Sequence, residues 1–275
     1  MITLLTDFGY QDVYVAAMKG VITSISSSVS LCDLTHSVPP QDILTARFNL
    51  MQAYPYFPVD TVHLAVIDPG VGSTRRAVAI QFSGGFLVGP DNGLFSGVLS
   101  QEAVVAAVSL TNTRYWRARS VSATFHGRDI FAPVAAHLSN GVTIDDLGDR
   151  IDPSTLVQPN LPPMIQLRAD PVAYAGSLQY IDGFGNLISN IPGDRIPSDR
   201  WQVVIEGVGA GTISSQTAGQ DALHIRGQKT YSDVPVGELV GLVGSHGWIE
   251  IACNGGSAAK SLQATVGLAI VLEAL

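Results

Sequence analysis

Short apolar runs that alternate with helical patterns are the feature that most limits how this chain can fold. Four such runs occur in the first 90 residues: ITLLT (2–6), VSLCDL (29–34), TVHLAVI (61–67) and GFLVG (85–89). Runs of this length with little polar interruption are typical of strands that are buried on both faces of a parallel sheet. Each run therefore predicts one strand of such a sheet.

Helical patterns lie between these runs and beyond them. Residues 12–25 and 42–54 repeat apolar side chains at helical spacing. Residues 127–141 predict a further helix, with Asp129 as a candidate N-cap and Gly141 as its stop. Because strands and helices alternate, the first part of the chain is expected to be an α/β domain with a mostly parallel central sheet.

The pattern changes in a proline-rich stretch, residues 151–171, that has no helical period. We interpret 156–171 as a linker between an N-terminal domain, 1–155, and a C-terminal domain, 172–275. The C-terminal domain is expected to be an antiparallel, barrel-like sheet. Its predicted strands are 173–182, 202–208, 238–244, 248–253 and 265–274.

The charge of the chain restricts its partners. Charged residues make up 14% of the chain, compared with roughly 25% in a typical soluble domain. Such a chain is expected to have a large core and to form an oligomer. The net charge of −8 argues against binding nucleic acid, which needs a clustered basic face. No apolar run approaches the ~18 residues of a membrane span. The N-terminus lacks a basic signal-peptide region, so we expect a cytoplasmic protein without membrane partners.

Carboxylates stand at or near the ends of the predicted parallel strands, and Gly or Pro follows closely. They are Asp7, Asp33, Asp68 and Asp91. Open parallel sheets bind ligands outside the carboxyl ends of their strands, so together these residues predict a ligand site. Any one of them could instead be a turn residue that closes its strand.

His126 precedes the predicted helix 127–141. The positive end of a helix disfavours an imidazolium, so a neutral histidine is expected there. A neutral histidine can accept a proton or orient a water molecule. The alternative is that His126 only caps the helix.

The C-terminal half contains two polar segments, YIDGFGNLISN (180–190) and GSHGWIEIACNGGSAA (244–259). In the first, Asp182, Phe184 and Asn186 fit an ordinary hairpin turn, or could hold a planar heterocycle by its edge and face. The segment NGGSAAKS is not a phosphate loop, because Asn254 and Ala259 replace the required glycines. A dinucleotide-binding glycine pattern and zinc-ligand spacing are also absent from the sequence.

Seven ordered segments resemble the S-adenosylmethionine (SAM) hydroxide adenosyltransferases, which are related to enzymes that attach fluoride or chloride to the same carbon. The resemblance covers nearly the whole chain, through TDFGYQDVYVAAMKGVI, DLTHSVPPQDI, AVIDPGVGSTRR, VGPDNGL, FHGRDIFAPVAAHL, IDGFGNLISNI and GSHGWIEIACNGGSAA. It implies an α/β domain joined to a β-barrel. It also implies hydrolysis of SAM to adenosine and L-methionine by attack of water or hydroxide on ribose C5′. SAM is then the substrate, and neither a cofactor nor a metal is expected.

The resemblance also implies residue roles and an assembly. Members of the family are homotrimers with active sites between subunits. The water-handling trio corresponds to Asp68, Arg75 and His126. The implied substrate-binding residues are Asp7 at the ribose, Asp12 and Asp182 near the methionine ammonium, Asn186 at adenine, and Ser245 with His246 at the methionine carboxylate. Phe184 is a candidate for the face of the heterocycle, and Tyr231 a candidate for stacking on adenine.

The expected chemistry needs help only at the nucleophile, because the thioether leaves as a neutral group. An arginine beside Asp68 is expected to lower the pKa of that carboxyl and weaken it as a base. We therefore expect Arg75 and His126 to stabilise hydroxide-like character while Asp68 orients it. Two alternatives are a halogenase of the same fold and a non-catalytic sensor of adenosine or SAM. The halogenating relatives carry an aromatic residue near the position of Gln41, and they lack the Asp–Arg–His trio.

Overall fold

The computed structural model describes residues 1–196, 200–206 and 222–275. The chain divides into two compact units, Met1–Pro159 and Asn160–Leu275. The first unit is an α/β unit and the second is an antiparallel, nearly closed β unit. The predicted fold class is therefore confirmed.

The first unit is built on a seven-stranded sheet with helices on both faces. Its strands are β1 Ile2–Thr6, β2 Leu31–Thr35, β3 Thr61–Val66, β4 Ala77–Phe82, β5 Gly85–Pro90, β6 Val104–Ser109 and β7 Asp149–Arg150. Its helices are α1 Tyr14–Ile25, α2 Ile43–Ala53, α3 Ser96–Leu99 and α4 Ala132–Ser139, and a π-helical turn, Gly127–Phe131, leads directly into α4. Short 3-10 turns lie at Tyr54–Tyr56, Thr113–Tyr115, Ile144–Leu147 and Pro153–Thr155.

The strand order is β2-β1-β3-β5-β4-β6-β7. Strands β2, β1, β3 and β5 run parallel to one another, whereas β4 and β7 run antiparallel to their neighbours. Because β1 and β3 are parallel neighbours, their carboxyl ends lie side by side at one edge of the sheet. This edge carries the site described below.

Successive strand residues feed two cores on opposite faces of the sheet. Leu4 of β1 packs in a cluster with Met18 and Ile22 of α1 and with α4. Leu5, the next residue, packs on the other face with Leu50 of α2 and with α3. This alternation is what a strand covered on both faces requires, since neighbouring side chains point to opposite faces.

The structure differs from the predictions for this unit in its smaller elements and in the role of Asp129. Strands β4, β6 and β7 and helix α3 were not predicted, although the two-residue turn Ser83-Gly84 between β4 and β5 is a hairpin signal in the sequence. Asp129 is not an N-cap: it lies inside the π-helical turn, and its side chain binds arginines. In contrast, α4 ends at Ser139, and Gly141 follows with a φ of 86°, so the predicted stop is confirmed.

The second unit contains the strands of one antiparallel sheet. They are β8 Ile165–Ala169, β9 Val172–Ile181, β10 Leu187–Pro192, β11 Trp201–Ile205, β12 Leu223–Arg226, β13 Leu239–Val243, β14 Trp248–Cys253 and β15 Ala269–Ala274, and a short helix, α5, spans Ala258–Leu262. Strand β8 falls inside the stretch interpreted from sequence as a linker, and it pairs with β9. The predicted strand 202–208 corresponds to β11, and its last two residues lie outside the described residues.

The strand order is β12-β11-β15-β9-β10-β14-β13, and the two ends of this path approach each other. Gly227, just after β12, forms an isolated bridge with Gly241 of β13, and Gln228 N–H donates to the Gly241 carbonyl over 2.8 Å. Glycine is needed at this closure. A Cβ on Gly227 would lie 2.0 Å from the indole of Trp201, which fills the centre of the unit.

Candidate active site

A cavity of about 420 Å³ opens at the carboxyl ends of β1 and β3 in the first unit. This size falls within the roughly 300–1,000 Å³ of small-molecule pockets. Asp7, Asp68 and His126 supply its ionisable wall, and the rings of Phe8, Tyr14 and Phe125 supply an aromatic one. Asp7 directly follows β1 and Asp68 comes two residues after β3, so parallel pairing of these strands brings the two carboxylates to the same edge.

Asp7 anchors a second segment of the cavity wall. Its Oδ2 accepts a hydrogen bond from Gln41 N over 2.8 Å. Gln41 has a φ of 68°, an uncommon conformation for a residue other than glycine. The carboxylate therefore holds the strained turn that brings Pro40 and Gln41 to the cavity.

Arg75 joins Asp68 to His126. Its Nε donates to Asp68 Oδ1 over 2.9 Å and its Nη2 donates to Asp68 Oδ2, which makes a bidentate pair. The side chains of Arg75 and Asp68 are only 9% and 6% exposed. Arg75 Nη2 also lies 3.2 Å from His126 Nδ1, and the guanidinium stacks 5.4 Å from the centre of the Phe131 ring. The three residues named from the sequence are thus in direct contact.

The contact with Arg75 decides the tautomer of His126. A guanidinium can only donate hydrogen bonds, so Nδ1 must accept, and the proton of the neutral ring lies on Nε2. Burial lowers the pKa of His126, and the positive charge of Arg75 lowers it further, against smaller raising effects of Asp68 and Asp129. Both causes favour the neutral imidazole that the sequence analysis expected from the helix position alone.

The pKa of Asp68 corrects an expectation. Burial raises the pKa of this carboxyl above its ordinary value, and the opposing effects of Arg75 and His126 do not cancel that rise. The sequence shows the arginine beside Asp68, but it cannot show that the carboxylate is buried. Asp68 is consequently a better proton acceptor than the presence of Arg75 suggested.

Asp129 supports the loop that carries His126, a role that the sequence analysis missed. Its carboxylate accepts from Arg128 Nε over 2.7 Å, from Arg117 Nη1 over 3.3 Å and from Ser122 N over 2.9 Å. Arg128 in turn stacks over Phe125, 5.0 Å from the ring centre. These contacts hold residues 117–126 against the π-helical turn. The only sequence signal for this role was that Asp129 directly follows Arg128 in a helical pattern.

The other strand-end carboxylates have structural partners. Asp33 lies within β2 and pairs with Lys19 over 2.7 Å, and Asp91 pairs with Arg76 over 2.6 Å. Asp12 is exposed in the bend before α1 and does not line the cavity. Of the four strand-end carboxylates, Asp7 and Asp68 reach the cavity.

In the second unit, Asp182 closes the turn between β9 and β10. Its Oδ1 accepts from Phe184 N and Asn186 N over 2.9 and 2.8 Å, and its Oδ2 accepts from Asn186 Nδ2 over 2.9 Å. Asn186 is buried, whereas Phe184 is 81% exposed. The hairpin turn considered in the sequence analysis is therefore present, and it displays an aromatic ring at its tip.

Tyr231 and His246 meet at a residue that the sequence analysis did not name, Glu250 of β14. Tyr231 Oη donates to Glu250 Oε1 over 2.9 Å, and His246 Nε2 lies 3.0 Å from Glu250 Oε2. Ser245 is exposed beside His246. A single charged residue in the apolar strand WIEIAC was the signal that could have identified Glu250.

Among the described residues, no group of three or more His, Cys, Asp or Glu side chains is arranged to hold a metal ion. In the same part of the chain, no helix combines the length and apolar character needed to cross a membrane.

Comparison with known proteins identifies the family. The family model of the SAM hydroxide adenosyltransferase N-terminal domain matches residues 2–148, and that of the C-terminal domain matches residues 176–271. The chain belongs to the SAM hydroxide adenosyltransferase family. The resemblance drawn from the seven sequence segments is confirmed.

Relatives of this SAM hydroxide adenosyltransferase include proteins with two different names. The (R)-S-adenosyl-L-methionine hydrolase of Salinispora tropica is 42% identical over 97% of this chain and 95% of its own length. The fluorinase of Actinopolyspora mzabensis is 27% identical over 98% of this chain and 96% of its own length. A crystal structure of an uncharacterized conserved protein from Thermotoga maritima is 33% identical, with a TM-score of 0.85 over 99% of this chain and 100% of that one.

Proposed function

We propose that this protein hydrolyses (R)-S-adenosyl-L-methionine to adenosine and L-methionine, by attack of water or hydroxide on ribose C5′. Full-length similarity to a protein named as such a hydrolase supports the reaction. The observation that carries the proposal is the contact of Asp68, Arg75 and His126 at the edge of a cavity with an aromatic wall. A carboxylate, a guanidinium and a neutral imidazole together can hold a water molecule and stabilise it as it loses a proton.

Each catalytic residue has a distinct part in this proposal. Asp68 orients the water and takes its proton, which its raised pKa favours. Arg75 fixes the Asp68 carboxylate and the His126 ring through its donors. His126 turns its protonated Nε2 away from Arg75 and can donate to the oxygen that attacks C5′. The new O–C5′ bond forms as the C5′–S bond breaks, and both electrons of that bond stay on the neutral methionine sulfur.

The surroundings suit this reaction. Attack of a hydroxide-like oxygen on a sulfonium cancels charge in the transition state, and a weakly polar site favours such a step. No general acid is needed, because the leaving thioether is neutral. The aromatic wall of Phe8, Tyr14 and Phe125 lowers the polarity of the cavity without offering a competing nucleophile.

The remaining roles are proposed from the family resemblance and the positions of the side chains. Asp7 binds the ribose hydroxyls, and Asn186 and Tyr231 bind adenine together with Phe184. Asp12 and Asp182 interact with the methionine ammonium, and Ser245 and His246 with its carboxylate. We further propose a homotrimer in which active sites lie between subunits, and a cytoplasmic location.

The decisive test is to incubate the pure protein with (R)-SAM in halide-free buffer made with ¹⁸O-water, and to analyse the products by mass spectrometry. Adenosine with ¹⁸O at the 5′ oxygen, together with free methionine, is the expected result. A 5′-halo product that forms only after chloride or fluoride is added would identify a halogenase instead. Intact bound SAM without product would identify a sensor.

A further inference from the structure

Glu250 is a buried acid at the centre of a polar cluster in the second unit, formed by Tyr231, His246 and Glu250. It is 3% exposed and lies in β14 between Ile249 and Ile251, which point to the opposite face and fill the core. Both of its carboxylate oxygens are used, one by Tyr231 and one by His246. Among the described residues, no lysine or arginine forms an ion pair with Glu250, and its side-chain partners are Tyr231 and His246.

The hydrogen bonds of His246 fix the orientation of its ring. Trp248 N–H donates to His246 Nδ1 over 3.1 Å, so Nδ1 carries a lone pair and the ring proton lies on Nε2. His246 Nε2 faces Glu250 and donates to its carboxylate. One ring nitrogen faces the backbone and the other faces Glu250, which fixes the ring in the turn 244–247.

Gly244 allows this arrangement. A Cβ on Gly244 would lie 2.3 Å from His246 Nε2 and 2.5 Å from Glu250 Oε2, which no ordinary contact permits. Any larger residue at position 244 would separate the imidazole from the carboxylate. The lack of a Cβ at Gly244 thus allows both the contact between His246 and Glu250 and the turn itself.

Tyr231 is held from both ends. Thr230 and Asp233 form a reciprocal cap around the short 3-10 turn Tyr231–Asp233, and the phenol hydroxyl is tied to Glu250. Burial and the Glu250 hydrogen bond raise the pKa of Tyr231 to about 12. The side chain nevertheless remains 44% exposed, so the ring offers a face to a ligand while its hydroxyl is fixed.

We propose that Glu250 is a positioning residue for SAM: its two oxygens hold Tyr231 and His246 in the arrangement in which they contact the substrate. The proposal rests on the proposed function, because it assigns these two side chains to substrate binding. Replacing a buried charged group by an apolar side chain often leaves stability unchanged or higher, so stabilising the strand does not explain Glu250. Its hydrogen bonds to Tyr231 and His246, two candidate ligand contacts, indicate a positioning role that packing does not explain.

The test compares steady-state kinetics of the full chain and its Glu250→Gln variant. Glutamine keeps the shape but can accept only one of the two hydrogen bonds at its oxygen. We expect KM for SAM to rise about tenfold with kcat changed less than about threefold, because the chemistry belongs to the first unit. Glu238→Gln, the same change at an exposed site of this unit, is the matched control and should leave KM unchanged.

A double-mutant cycle separates positioning from general damage to the fold. If Glu250 acts through Tyr231 and His246, Glu250→Gln should add little to KM once Tyr231→Phe and His246→Ala are both present. Full additivity, or a wild-type KM in Glu250→Gln, would overturn the proposal.

Gly244→Ala tests the same proposal if Glu250→Gln does not fold. Its Cβ would lie too close to both His246 Nε2 and Glu250 Oε2, so it separates the ring from the carboxylate without removing either group, and KM should rise. Gly20→Ala, at a position where a Cβ meets nothing within 4 Å, is its control. A wild-type KM in Gly244→Ala would overturn the His246 part of the proposal.

Failure of this inference can be told apart from failure of the proposed function. If the wild-type protein hydrolyses SAM and Glu250→Gln has the same KM, only the positioning role is contradicted. Wild-type protein without turnover contradicts the hydrolase, and calorimetric titration with SAM then decides the positioning role, which requires weaker binding in Glu250→Gln. Wild-type protein that neither turns over nor binds SAM overturns both.

Discussion

At the scale of single residues, Arg75 is the centre of the candidate site. Its guanidinium contacts Asp68, His126 and the carbonyl of Arg76, and stacks on Phe131, so four neighbours fix one planar group. A lysine could not reproduce this geometry, because an ammonium lacks the planar fork of donors. The orientation of Asp68 and the tautomer of His126 both follow from this one side chain.

Asp68→Asn should lower kcat by more than about tenfold while leaving the fold intact, since asparagine keeps the shape but cannot take the proton of water. The rate of adenosine formation and circular dichroism measure the two effects. Asp145→Asn, in an exposed pair with Arg150, is the control and should retain wild-type turnover. Wild-type turnover in Asp68→Asn, Arg75→Ala and His126→Ala alike would refute the assigned roles.

The acid limb of kcat/KM should lie below pH 6.5, the ordinary value for histidine, because burial and Arg75 lower the pKa of His126. Protonation would place a proton on Nδ1, where Arg75 already donates, so the active form is the neutral one, and activity falls as pH drops through the lowered pKa. In His126→Asn the contribution of His126 to the acid limb should disappear, and Asp68, whose pKa is raised by burial, should be the group of the trio that still shapes the limb. A profile in that variant identical in shape to wild type would contradict the assignment, and His224→Asn, at an exposed site, is the control.

At the scale of elements, the candidate site depends on two parallel strand ends and one loop. Strands β1 and β3 bring Asp7 and Asp68 together through pairing alone. His126 is the N-cap of the π-helical turn, and the irregular loop that leads to it needs side-chain contacts to hold it. Asp129 makes those contacts from within the π-helical turn.

Asp129→Ala should lower the free energy of unfolding by roughly 2 kcal/mol, because it leaves Ser122 N and two arginines without their buried acceptor. Turnover should also fall at temperatures far below unfolding, since His126 loses its support. Thermal denaturation and kcat measure the two effects. Asp145→Ala, which removes only an exposed ion pair, should change stability by less than about 0.5 kcal/mol. Normal turnover in Asp129→Ala would show that residues 117–126 keep their conformation without the Asp129 contacts.

At the scale of the whole molecule, exposed apolar side chains remain near the candidate site. Tyr10, Val13 and Tyr14 are all exposed on the segment that leads into α1. Low overall charge and such a cluster favour self-association. They support the homotrimer proposed from the resemblance.

Sedimentation equilibrium should therefore yield a trimer, and specific activity should fall when dilution dissociates it. Val13→Asp, which places a charge in this exposed cluster, should shift the assembly toward smaller species. Thr23→Asp, on the exposed side of α1, is the control. A fully active monomer would rule out active sites shared between subunits.

The sequence by itself determined the fold class, the order of most elements and the family. The spacing of apolar residues in the sequence reflects which side chains are buried, so the parallel strands and α1, α2 and α4 could be located within a few residues. It did not show β4, β6, β7, β8 or β12, because whether a short run becomes a strand depends on the partner that pairs with it. It also mistook Asp129 for a cap, since a cap and an ion pair use the same residue type.

Only the tertiary structure decided the chemistry of the site. Sequence order placed Arg75 near Asp68 but could not bring His126, fifty-one positions later, onto the same guanidinium. Nor could it reveal that burial outweighs Arg75 in setting the pKa of Asp68, or that Glu250 joins Tyr231 to His246. Burial and hydrogen bonding are properties of distant segments packed together, and no local pattern of residues encodes them.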